Sequence, residues 1–226
     1  MDTQMSKRYA RWAWFLLPVV IVLVFNKLIV YSLTLWHQIF GQIPAVIFFL
    51  LPFISVIPPL LLLSIWYMRS KCDLNPIQSI YSRNMLMSDI RLGAAAGFFC
   101  ILVFIGSLKM LRSCGLGSQN FSSLSLAHHL FFSTVGALIP GISEELYFRG
   151  FLMARFRDFP PSLVIILTSI SFSLWHVLSP SYLLHTFVIG VILGITVFKT
   201  QRILPAIIAH SLANAAAGVL IIKGWV

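Results

Sequence analysis

Two carboxylates stand side by side in the stretch SEELYFRG, residues 143–150, although the chain holds only six acidic residues and the surrounding run is apolar. A carboxylate kept in such a run can draw a proton from water as a general base, ligate a metal ion, or neutralise a cation. Glu145 and Arg149 are four apart with the acid first, the order that suits an ion pair along a helix. Glu144 is rotated about 100° from Glu145. It meets no partner at helical spacing and needs one from another helix.

Two later stretches carry groups that could answer it. FSLWH, residues 172–176, puts Phe172 and His176 on one helical face, and HSLAN, residues 210–214, does the same with His210 and Asn214. Counting about 1.5 Å per residue from one set of helix ends, Glu144, His176, Asn214 and His210 lie roughly 20, 22, 17 and 11 Å up their helices. The four fall within about two helical turns of one level, which suggests a polar chamber inside an apolar bundle.

The ordered motifs Glu-Glu-x-x-x-Arg, Phe-x-x-x-His and His-x-x-x-Asn, carried by Glu144, Glu145, Arg149, Phe172, His176, His210 and Asn214, resemble those of the CAAX prenyl protease and bacteriocin-processing (CPBP, or Abi) family. The resemblance spans roughly residues 125–222; the first 120 residues share only their apolar character. It implies an intramembrane glutamic protease in which Glu144 and His176 hold and activate a water. His210 and Asn214 would then form the oxyanion hole, and Glu145 with Arg149 would position the site. It also implies a membrane-associated or lipid-modified protein or peptide as substrate, with prenylated tails, leader peptides and sorting tails all admissible, and no cofactor. The short chain looks more like a prokaryotic member, placed in the cell's inner membrane.

Other chemistry competes with that reading. Glu144, His176 and His210 together make a plausible Zn²⁺ ligand set, although the chain lacks His-Glu-x-x-His. Polar residues at one depth can also tie helices together in a non-catalytic immunity or scaffold protein, or serve as an ion site in a transporter. Phe172 reads as packing beside His176. Tyr147 and Trp175 border the motifs as packing or path-lining residues, and His37, His128, His129 and His185 sit near predicted span ends.

The elements that must position these groups follow from composition. Of 226 residues, 59% are hydrophobic and 10% charged, against about 25% charged in ordinary soluble domains. Runs of about 20 apolar residues, enough to cross about 30 Å of hydrocarbon, recur along the whole chain. They predict an all-α, polytopic bundle of about seven to eight transmembrane helices around a buried polar active site, with the lipid bilayer as its surroundings. Coarse spans are 13–34, 43–68, 92–111, 128–157, 161–179, 182–198 and 203–222. Residues 1–124 supply the N-terminal helices and residues 125–226 the catalytic ones, within one continuous membrane domain.

Pro52, Pro58 and Pro59 predict a kink or re-entrant break in the second span, and Pro140-Gly141 a break or bend just before the acids. The net charge of +10 comes from basic residues scattered in ones and twos, not gathered into a nucleic-acid-binding stripe. With a cytoplasmic N-terminus, Lys7, Arg8, Arg11, Arg69, Lys71, Arg83, Arg91, Arg149, Arg155, Arg157, Lys199 and Arg202 fall on or near the cytoplasmic side, and only Lys109, Arg112 and Lys223 opposite, a positive-inside bias. The polar segment 70–91 is expected along the interface. Gly93 with Gly97, and Gly190 with Gly194, are spaced to let helices approach closely. Cys72, Cys100 and Cys114 show no disulfide or metal-ligand spacing.

Overall fold

A computed structural model of the chain describes residues 3–40, 60–62, 64–65, 83–114, 130–131, 133–176 and 182–222. The described residues are helical, with no strand among them, in keeping with the all-α expectation. In chain order the helices are α1 (Thr3–Phe40), α2 (Leu86–Ser113, after a 3₁₀ turn Arg83–Met85), α3 (Val135–Glu145), a π-helical stretch Leu146–Leu152, α4 (Met153–Arg155), α5 (Pro161–Trp175), α6 (Leu183–Thr200) and α7 (Leu204–Ile222). By length and composition, α2 and α6 are the two described helices that could cross a membrane; α5 and most of α7 are shorter apolar helices.

Several boundaries differ from the sequence reading. Most of the second expected span, including Pro52, Pro58 and Pro59, lies outside the described residues, as does 70–82 of the polar segment. The remainder of that segment is helical: α2 begins at Leu86 rather than near residue 92, and Asp89 in its first turn is buried in an ion pair. Pro140-Gly141 does not end α3, which runs through both to Glu145. The irregularity comes after the acids, as the π-helical stretch. α5 stops at Trp175, short of the expected 179, and His176 caps it with its N–H on the Ser173 carbonyl at 2.9 Å.

Glycines set the helix spacing. A Cβ on Gly93 would lie 2.8 Å from the Pro205 carbonyl oxygen, and one on Gly97 3.2 Å from Ala209 Cα, so α2 and α7 touch backbone to backbone. Gly190 does the same for α6 against Ser169 of α5, and Gly194 faces Ile165 one turn on. Gly141 admits Ser211 of α7 against α3. Small residues at four-residue spacing let backbones approach where larger side chains would hold them apart, as the two glycine pairs predicted.

Ion pairs and carbonyl contacts fix the ends. Asp89, fully buried near the start of α2, takes Arg202 Nε and Nη2 on Oδ1, each at 2.7 Å. The start of α2, the end of α6 and the start of α7 therefore share one end of the bundle. Trp12 and Phe15 of α1 pack edge-on against Phe156, just beyond α4. Tyr147 Oη donates to the Trp14 carbonyl and Ser171 Oγ to the Phe15 carbonyl, both at 2.7 Å. Residue 18 is proline and has no N–H to return to the Trp14 carbonyl four residues back. The Tyr147 hydroxyl supplies the missing donor, which makes Tyr147 a buried anchor of α1.

Candidate active site

Glu144 and Glu145 are the last two residues of α3, and both are buried. Glu145 Oε1 accepts from Arg149 Nη1 at 2.9 Å, the ion pair expected from their spacing, with both side chains fully buried. The same oxygen lies 2.9 Å from Nδ1 of His210 on α7. Arg149 also donates from Nη2 to the Gly190 carbonyl of α6 at 3.0 Å. Its guanidinium carbon stands 4.6 Å from the centre of the Phe172 ring, close enough for a cation–π contact. One carboxylate and one guanidinium thus join α3, α6 and α7 through the ring of α5.

Glu144 faces different partners, as the 100° rotation requires. Its Oε1 accepts the indole N–H of Trp175 at 3.1 Å. Its Oε2 is buried with no hydrogen-bond partner among the described residues, and stands 3.9 Å from His210 Nε2. That separation is too long for a direct hydrogen bond. It leaves a carboxylate oxygen and an imidazole nitrogen facing each other with their capacity unspent.

The two imidazoles share one platform. Phe172 packs edge-on against His176 and His210, with ring centroids 5.1 and 5.5 Å away. His176 Nδ1 is 3.0 Å from the Phe172 carbonyl. A carbonyl only accepts, so Nδ1 carries the hydrogen and the neutral ring keeps an unprotonated Nε2. His210 likewise donates from Nδ1 to Glu145, which sets its other nitrogen toward Glu144. Asn214 stands one turn beyond His210 on α7, half-buried.

The structure therefore brings Glu144, Glu145, Arg149 and His210 into direct or near contact and sets His176 beside them across Phe172. The ligand set considered for zinc does not assemble: among the described residues no three His, Cys, Asp or Glu side chains are grouped to hold a metal ion.

A carboxylate with one free oxygen, beside imidazoles whose tautomers are set and within an apolar bundle, suits activation of a small nucleophile. Residues 126–216 match the family of Rce1-like type II CAAX prenyl endopeptidases. The match agrees with the family read from the three motifs, and every motif residue falls within it. Comparison with curated proteins and with solved structures finds no match.

Within the Rce1-like region, Trp175 is the site residue that the motifs did not reveal as a partner of Glu144. The signal available was its place beside His176 and one turn from Ser171, but helical spacing alone does not tell which way an indole N–H points.

Proposed function

We propose that this chain is an intramembrane endopeptidase in which Glu144 activates a water that cleaves a peptide bond of a membrane-associated, lipid-modified protein. The observation that carries the reading is the free Oε2 of Glu144 facing His210 Nε2 at 3.9 Å inside the region similar to CAAX prenyl endopeptidases.

The membrane setting is supported by the bundle's polarity. Phe98 and Phe99 are 59% and 58% exposed while Glu145, Asp89 and Thr168 are fully buried, the reverse of a protein in water. About seven spans fit the apolar runs, with the N-terminus and the Asp89–Arg202 pair on the cytoplasmic side.

In this mechanism a water donates one hydrogen to Glu144 Oε2 and the other to the bare Nε2 of His176, which turns a lone pair of its oxygen toward the substrate carbonyl. As the C–O bond forms, Glu144 takes the proton. The carbonyl oxygen gains negative charge and is met by the Asn214 amide and by His210. Because His210 Nδ1 already donates to Glu145, His210 donates to the oxyanion from Nε2 only as the doubly protonated ring. Collapse of the intermediate breaks the C–N bond, and Glu144 returns its proton to the leaving nitrogen. The water's other hydrogen stays on the new carboxyl group and then passes to the amine, so the products are a carboxylate and an ammonium. Donors of this kind are worth about 2.7–4 kcal/mol each in other hydrolases.

The test uses the full chain in lipid nanodiscs with a peptide ending in a farnesylated Cys-aliphatic-aliphatic-X tail and its unprenylated counterpart. Mass spectrometry is expected to show release of the last three residues from the prenylated peptide, unaffected by a chelator. Equal cleavage of both peptides would remove the lipid requirement. No cleavage of either, with leader-bearing peptides also intact, would remove the protease reading.

A further inference from the structure

We propose that Trp175 is a positioning residue for the proposed hydrolysis: its indole N–H anchors Oε1 of Glu144 so that Oε2 alone faces the water. The inference rests on the glutamate mechanism and extends it by dividing the two carboxylate oxygens between two tasks.

The geometry supports that division. A free carboxylate on the long glutamate side chain turns about its last bond and exchanges its oxygens, since that torsion is broad and roughly two-fold. A donor on one oxygen only, with the other left bare, removes the exchange. Trp175 Nε1 lies 3.1 Å from Oε1, and both side chains are buried. Oε2, the oxygen opposite, has no partner among the described residues and faces His210 Nε2.

Local structure explains why position 175 can do this. α5 ends at Trp175, and His176 leaves helical geometry as its cap, with φ −94° and ψ 20°. The last helical residue therefore points its side chain toward α3, while the next keeps its imidazole on the Phe172 carbonyl. Adjacent residues thus serve the carboxylate and the second water-holding group, and the end of the helix fixes the angle between them. The indole carries a single N–H and no acceptor, so it can hold a carboxylate without competing for the water's hydrogens.

The experiment places 3-benzothienylalanine at position 175 of the full chain in nanodiscs; this residue keeps the shape of tryptophan and replaces its N–H with sulfur. Trp175→Phe and Glu144→Gln are measured beside it on the prenylated peptide. The expected result is a fall in kcat of about 10- to 100-fold for the benzothienyl protein, with KM and thermal midpoint held near wild type. A role in packing alone would leave that protein's kcat unchanged and lower only Trp175→Phe, and this outcome overturns the proposal. Full activity of Glu144→Gln would overturn the glutamate mechanism and the proposal with it. The two failures are told apart by which substitution is silent.

Discussion

Glu145 and His210, 65 residues apart in the chain, meet at 2.9 Å between Oε1 and Nδ1, on the same oxygen that holds Arg149. This single atom links the guanidinium of the π-helical stretch to the imidazole of α7. Removing one member of a buried ion pair leaves the other charge uncompensated, at about 3–5 kcal/mol. Glu145→Ala is therefore expected to lower stability by that order, read as loss of folded protein on thermal unfolding in detergent. Glu145→Ala with Arg149→Leu is expected to recover part of the loss without recovering cleavage. Equal midpoints for wild type and Glu145→Ala would contradict the link.

The close approach of α2 to α7 holds His210 and Asn214 at their depth. Gly93→Ala places a methyl group against the Pro205 carbonyl, and backbone cannot move aside as a flexible side chain can. The expected loss of stability is about 1–3 kcal/mol, with a larger proportional loss of kcat as α7 shifts. Gly106→Ala, where a Cβ meets nothing within 4 Å among the described residues, is expected to leave both quantities unchanged. Unfolding midpoints of the two variants, measured side by side, check the contrast.

Asp89 and Arg202 tie the start of α2 to the junction of α6 and α7 at 2.7 Å, with Asp89 fully buried and Arg202 partly exposed. Asp89→Asn keeps the shape and removes the charge. It is expected to destabilise by about 1.5–3 kcal/mol, the range for hydrogen bonds to charged groups. A double-mutant cycle with Arg202→Gln is expected to show coupling between the two, and additive losses would show that the pair contributes nothing jointly.

Tyr147→Phe removes the hydroxyl that serves the Trp14 carbonyl. An unsatisfied buried acceptor costs about 1–3 kcal/mol. Replacing Pro18 with alanine restores a helical N–H four residues beyond Trp14, so Pro18→Ala is expected to soften the effect of Tyr147→Phe. If Tyr147→Phe is equally harmful with and without Pro18, the carbonyl is not what the hydroxyl serves.

What could be read from the sequence was governed by local spacing. Glu145 with Arg149, the glycine pairs, and the grouping of Glu144 with His210 all follow from helix geometry or from rise along parallel axes. The partners that escaped depend on how helices rotate against one another. Trp175 on Glu144 and Arg202 on Asp89 join positions 31 and 113 residues apart. Neither spacing nor hydropathy encodes such rotations. Pro140-Gly141 was expected to break or bend the helix before the acids; α3 does not break there, and the departure from α-helical geometry falls after them. The glycine instead admits Ser211 of α7, a contact that only the packed bundle reveals.

The central claim is that the carboxylate of Glu144 takes the proton from water. Glu144→Gln keeps the side-chain volume and an oxygen for the Trp175 indole to bond, but cannot act as the base. In nanodiscs, this variant is expected to bind the prenylated peptide and unfold near the wild-type temperature while its cleavage rate falls by about 100- to 10,000-fold. Cleavage at the wild-type rate by the folded Glu144→Gln protein would contradict the account.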